Sequence, residues 1–151
     1  MTVELMAGLG RFGAAAALAF SAMGSALGIG VAGASAVGAW KKCYAQGKAA
    51  SFILITFVGA PLSQTIYGMI MMNNIIARLA DNPNYWPGMI GAGLFGGMAM
   101  GLSAWYQGVA GAAAADAMAE TGKGFGNYLM VVGIVETVAL FVMVFITASI
   151  K

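Results

Sequence analysis

Gly124-Phe-Gly-Asn-Tyr-Leu-Met-Val-Val-Gly-Ile-Val-Glu-Thr-Val-Ala-Leu-Phe-Val-Met-Val-Phe-Ile-Thr-Ala-Ser-Ile150 fills the 27 positions between Lys123 and Lys151, and only Glu136 among them can carry a charge. A run this long and this apolar exceeds the roughly 20 residues that a helix needs to cross a bilayer core. Glu136 falls near its middle, about 18 Å from the Gly124 end at the helical rise of about 1.5 Å per residue. An ionised carboxylate at that depth costs about 2.5–3.5 kcal/mol on insertion scales. Three things could neutralise it: a proton, a bound cation, or a charge supplied by another chain.

The same reading extends outward along the chain. Charges mark off 29 uncharged residues between Arg11 and Lys41, another 29 between Lys48 and Arg78, and 34 between Asp81 and Asp116. Each run is long enough to span a membrane. With 61% hydrophobic and 8% charged residues, against about 25% charged in soluble domains, a water-soluble globule is excluded. The expected fold is an all-α membrane protein of four transmembrane helices in two tandem hairpins. The first hairpin covers 1–79, with helices at about 11–45 and 50–79. A turn follows at 80–87, and the second hairpin covers 88–151, with helices at about 88–120 and 124–150. Pro83 and Pro87 break helicity in the turn, and Tyr85 and Trp86 are interface anchors. The first residues include Glu4 rather than a basic run, so the first apolar segment is expected to be retained rather than cleaved as a secretory signal.

Several function classes drop out. A net charge of +2 with no basic–aromatic block gives no nucleic-acid surface. The absence of histidine removes the commonest metal ligand and proton shuttle. Cys43 is the only cysteine, so no internal disulfide forms. No Gly-x-x-x-x-Gly-Lys-[Ser/Thr] loop is present, so nucleotide chemistry is not expected of this chain.

The four spans differ in character. The first and third are crowded with small residues, including Gly24, Gly28, Gly33, Gly93, Gly101 and Gly108, whereas the second and fourth are rich in Ile, Leu, Met, Phe and Val. Small residues let helix backbones approach closely in lipid, and an inner layer of spans 1 and 3 inside an outer layer of spans 2 and 4 accounts for the contrast. An internal repeat supports the duplication. Ser25-Ala-Leu-Gly-Ile-Gly-Val-Ala-Gly-Ala34 matches Ser103-Ala-Trp-Tyr-Gln-Gly-Val-Ala-Gly-Ala112 at seven of ten positions. Val58-Gly59 aligns with Val132-Gly133, which sets Leu62 opposite Glu136 and Ile29 opposite Gln107. Only the second copy holds the carboxylate.

No Lys, Arg or His lies inside any span, so a salt bridge within the chain cannot neutralise Glu136. Gln64, Gln107 and Glu136 lie within about one helical turn of each other in depth. Ala60, Ser63, Gln64 and Tyr67 recur at spacings of three and four on one helix face. Pro61 lacks an N–H and loosens the backbone there. Amide, hydroxyl, carboxylate and carbonyl oxygens are the ligands that hard cations prefer. Intramembrane ionisable groups of this kind mark ion pathways.

At these residues the chain resembles the proteolipid (c or K) subunit of rotary V/A-type ATPases. Ala60-Pro-Leu-Ser-Gln-Thr-Ile-Tyr-Gly68 is similar to the Leu-Pro-x-Thr-Gln-x-x-Tyr-Gly pattern of sodium-translocating bacterial members. Gln107-Gly-Val-Ala matches their third-helix glutamine, and Val135-Glu-Thr137 their ion-binding glutamate segment. The resemblance runs through all four helices, with Ala60 in place of Leu and Ser63 in place of Thr. It implies a Na+ site in which Glu136 is the essential carboxylate, Gln64 and Gln107 give side-chain oxygens, Ser63 its hydroxyl and Ala60 its backbone carbonyl. Tyr67 would hydrogen-bond Glu136 and lock the site.

The resemblance further implies a non-catalytic rotor subunit in the cell membrane. Its partners would be copies of itself in a ring, a stator membrane subunit, lipid, and a central-stalk subunit at the 40–50 and 117–124 connections. Those connections would face the cytoplasm, in agreement with the lysines at 41, 42, 48 and 123. One alternative within the class is the same rotor carrying H+. An alternative of another class is a small multidrug-type transporter with one midmembrane Glu, which predicts aromatics around Glu136.

Overall fold

The structure, a computed structural model, describes residues 1–150. Helix α1 runs Val3–Ala45, with the Thr2 side chain accepting the Leu5 N–H at its start and Glu4 in the first turn. The helix therefore begins about two turns earlier than the expected start near residue 11. Its 43 residues extend about 64 Å at the helical rise, twice the thickness of a hydrocarbon core, so it projects beyond the membrane. Gly47, at φ 63°, turns the chain back.

The second span is interrupted. A 3₁₀ turn at Phe52–Leu54 leads into α2 (Ile55–Gly59), a second 3₁₀ turn at Ala60–Leu62, and then α3 (Ser63–Asp81). Pro61 occupies the middle of that second turn. Without an N–H it cannot bond the carbonyl of Phe57 one turn earlier, and the backbone tightens locally. A short turn at Pro83–Tyr85 opens α4 (Trp86–Thr121). Pro87 lies in the first turn of α4, where a missing N–H costs nothing. Gly122 at φ 66° ends α4, and Gly124 at φ 88° precedes α5 (Phe125–Ser149). The four spans so formed are each long and apolar enough to cross a membrane.

Helices α1 and α4 pack parallel and backbone to backbone. A methyl group added at Gly24 would fall on the Gly101 backbone, at Gly28 on the Ala104 carbonyl, and at Gly108 on the Gly28 backbone. These positions admit only glycine. The contacts pair residues 76 to 80 apart, bracketing the 78-residue offset between Ser25 and Ser103 in the repeat. The two hairpins are thus related at equal depth. Helices α3 and α5 flank the small-residue pair, and α5 buries only Val132 and Ala139 within the chain.

The core is layered along the bundle. One apolar cluster, with Phe57, Leu54, Ala36, Ala115 and Val132, lies toward the interhelix connections. Another, with Ala17, Met71, Ile75, Met100 and Ala139, lies toward the Pro83 turn. Between them on every span sits a polar residue: Ser21 and Ser25 on α1, Gln64 on α3, Ser103 and Gln107 on α4, and Glu136 on α5. Buried polar groups cost free energy unless they are bonded, so this midplane belt is where the fold spends stability.

Candidate functional site

Within the belt, a continuous hydrogen-bond network centres on Glu136. Tyr67 donates its hydroxyl to Glu136 Oε1 at 2.8 Å, and Gln107 Nε2 donates to Glu136 Oε2 at 3.1 Å. The second hydrogen of Gln107 Nε2 goes to the Val132 carbonyl at 3.2 Å. Gln107 Oε1 accepts from Gln64 Nε2 at 2.8 Å. Ser63 Oγ lies 3.1 Å from Gln64 Oε1 and 3.2 Å from the Ala60 carbonyl. All six residues singled out from the sequence (Glu136, Gln107, Gln64, Ser63, Ala60 and Tyr67) are therefore joined side by side across three spans.

Local structure explains the convergence. Ala60 sits at the start of the 3₁₀ turn and its carbonyl also accepts the Ser63 backbone N–H, an i to i+3 bond that a regular α-helix would not make. This turn brings Ser63 back over Ala60 and aims Gln64 into the core. Gln64 and Gln107 are both fully buried, which holds their amides in fixed geometry because neither can find water. Glu136 and Tyr67 are only partly buried, on the outer side. The carboxylate is thus reached from the flank of the bundle while its two glutamine neighbours in the network are held from behind.

Two contributors escape the sequence reading. Ser103 Oγ donates to the Val135 carbonyl at 2.8 Å and ties α4 to the backbone beside Glu136. The Val132 carbonyl fixes the Gln107 amide. Ser103 has a readable signal, since it precedes Gln107 by four residues and shares its helix face; a backbone carbonyl has none.

The oxygen types gathered here are those that hard cations prefer. Among the described residues, no group of three or more His, Cys, Asp or Glu side chains could hold a metal ion, so a transition-metal centre has no basis there. The donor set instead comprises one carboxylate, two amide oxygens, one hydroxyl and one carbonyl. In the arrangement seen, Gln107 Oε1 is taken up by Gln64 Nε2. The network is therefore closed on itself.

Residues 90–147 match the family model of the ATP synthase C subunit. That stretch contains Ser103, Gln107 and Glu136, and leaves out the first hairpin. The chain is also 33% identical over 133 residues to the K subunit of the A-type ATP synthase of Methanocaldococcus jannaschii, an alignment covering 88% of this chain and 57% of that protein. The chain thus spans little more than half the length of that relative. Both similarities are to subunits of ATP synthases.

Proposed function

We propose that this chain is a rotor-ring subunit of a V/A-type ATPase or ATP synthase that binds and carries one Na+ at Glu136. The observation that carries this reading is the network itself: an intramembrane carboxylate with no cation in reach, linked to two fully buried glutamines, a tyrosine and a serine. A proton carrier needs only the acid and a lid. Two buried amides are costly to install and supply carbonyl oxygens that suit Na+.

In this reading many copies close into a ring with α1 and α4 inside. The largely unburied surface of α5 faces lipid, a neighbouring copy and the stator subunit. Each Glu136 picks up and releases its ion at the stator, and the neutralised site crosses lipid as the ring turns. The connections near 40–50 and 117–124 meet a central-stalk subunit on the cytoplasmic side, and the termini lie on the opposite side. ATP is made or hydrolysed elsewhere in the complex.

The closed state of the network favours a second reading, in which the ion is H+. With Gln64 Nε2 on Gln107 Oε1, every member has a hydrogen-bond partner without a cation. One experiment separates the two. Carbodiimides react with the protonated acid, so Glu136 labelling is followed in membranes across a pH series, with Na+ or K+ at fixed ionic strength. Slower labelling with Na+ but not K+ supports the Na+ carrier. Labelling that depends on pH alone assigns H+ to the rotor, and a Glu136 that resists labelling at every pH removes the rotor reading.

A further inference from the structure

Ser25 is 2% exposed, and its Oγ has no hydrogen-bond partner, the one buried side-chain oxygen or nitrogen so placed among the described residues. A buried hydroxyl without a partner is costly, and its position is informative. On α1, Ser21, Ser25 and Gly28 share one face at spacings of four and three. A methyl group at Gly68 would meet Ser21 Cβ at 2.7 Å, and one at Gly28 would meet Pro61 Cβ at 2.9 Å. The pairs 21 with 68 and 28 with 61 each sum to 89, the mark of an antiparallel register. Residue 25 therefore stands at the level of residue 64.

The repeat sharpens the point. Ser103, the counterpart of Ser25, donates to the Val135 carbonyl at 2.8 Å. In the alignment of outer spans, Val135 corresponds to Pro61, since both copies are offset by 74 residues there. The equivalent bond in the first hairpin would run from Ser25 to the Pro61 carbonyl, and it is not made. The 3₁₀ turn at Ala60–Leu62 has changed the backbone that the hydroxyl would have met.

Loading the site requires one internal rearrangement. Gln107 Nε2 has both hydrogens committed, to Val132 and Glu136, so that amide can stay in place and offer Oε1 to a cation. For Gln64 to offer its own Oε1 to the same cation, its Nε2, now donating to Gln107 Oε1, has to turn away and find another acceptor in a dry core. We infer that Ser25 Oγ is that acceptor: it receives Gln64 Nε2 when Na+ displaces the amide–amide bond, and so acts as a positioning residue for the loaded site. This inference rests on the Na+ reading given above.

The test is the Na+ concentration that half-protects Glu136 from carbodiimide in membranes bearing the full chain, at fixed pH and ionic strength. Ser25→Ala is expected to raise that concentration at least about fivefold, the loss of one buried hydrogen bond. Labelling without Na+ is expected to be unchanged, because the closed network does not use Ser25. Ser21→Ala, whose hydroxyl turns back onto the Ala17 carbonyl at 2.8 Å, is expected to leave both readings as they are. Ser25→Cys keeps the shape but accepts weakly, so it should reproduce the shift even if the alanine variant assembles poorly. Ser25 variants with wild-type Na+ protection would overturn the inference alone, as would equal changes with and without Na+. A wild-type protein that Na+ does not protect would overturn the Na+ reading, and the role of Ser25 with it.

Discussion

Tyr67→Phe isolates one bond of the site. The hydroxyl donates to Glu136 Oε1 at 2.8 Å, and the ring packs beside the apolar cluster of Met71 and Ala139. Phenylalanine keeps the ring and removes only the donor. In the loaded site the acceptor is a carboxylate, and a hydrogen bond to a charged group contributes about 1.5–3 kcal/mol. In the form that reacts with carbodiimide the acid is neutral, and the same bond is worth about 0.5–1.5 kcal/mol. The difference, about 1–1.5 kcal/mol, is what Na+ binding loses when the hydroxyl goes. At about 1.4 kcal/mol per tenfold, the half-protecting Na+ concentration should rise roughly five- to twelvefold. The assay is quantitative mass spectrometry of modified Glu136 against Na+ concentration at one pH. A half-protecting concentration within twofold of wild type would refute the reasoning, because the bond would then contribute equally to both states or be absent once the ion is bound.

Other substitutions probe the same geometry. Gln64→Leu keeps the volume but removes both the oxygen offered to Na+ and the donor to Gln107; Na+ protection should be lost while Glu136 still labels, and retained protection would exclude Gln64 as a ligand. Gly24→Val should prevent α1 from closing on the Gly101 backbone and abolish the assembled form on native mass spectrometry. Gly38→Ala, with nothing within 4 Å, should be tolerated and stabilise by up to about 1 kcal/mol, seen as an unchanged or higher melting temperature. Lys42 lies 2.9 Å from Asp116 and is held above its ordinary pKa, first by that hydrogen bond and then by the charge of Asp116. A raised folded-state value means that its contribution is complete below the unfolded value of 10.5 and is lost only as pH rises through the folded one. The melting difference between Lys42→Gln and wild type should therefore stay constant from about pH 6 to 9, well below the lysine range; a trend across that window would contradict the assignment.

The four spans are legible in the sequence because the membrane imposes a coarse rule. A stretch such as 124–150 with one ionisable residue has few other fates. The site is legible for a related reason: Gln64, Gln107 and Glu136 are conspicuous against an apolar background and can be placed in depth by counting residues. Their partners cannot be read so directly. That Gln64 donates to Gln107, rather than both amides facing a common point, depends on rotamers that spacing does not fix. The early start of α1 at Val3 is hidden because Arg11 looks like a boundary. A long side chain at a membrane edge can reach water while its helix continues, and Thr2 supplies the cap that starts the helix sooner.

The asymmetry between the two hairpins carries the chemistry. A perfect duplicate of the second hairpin would place a carboxylate at Leu62 and a second glutamine at Ile29, giving two acids in one narrow bundle. Like charges that close in a low-dielectric core cannot both stay ionised. The first hairpin instead carries Pro61 beside that position, and the 3₁₀ turn there joins Ala60, Ser63 and Gln64 to Gln107 and, through it, to the surviving acid. One copy thus supplies the charge and the other three residues of the network bonded to it through Gln107. The parallel, equal-depth packing of α1 on α4 is what brings the two halves to one level, since a slip of one helical turn, about 5.4 Å, would part Gln64 from Gln107. The glycines at 24, 28, 101 and 108 permit the register seen, because a side chain at any of them would fall on the facing backbone. Close packing of the inner helices and the composition of the site are for that reason a single constraint, and a substitution at Gly28 is expected to disturb the network at Glu136 without replacing any residue of it.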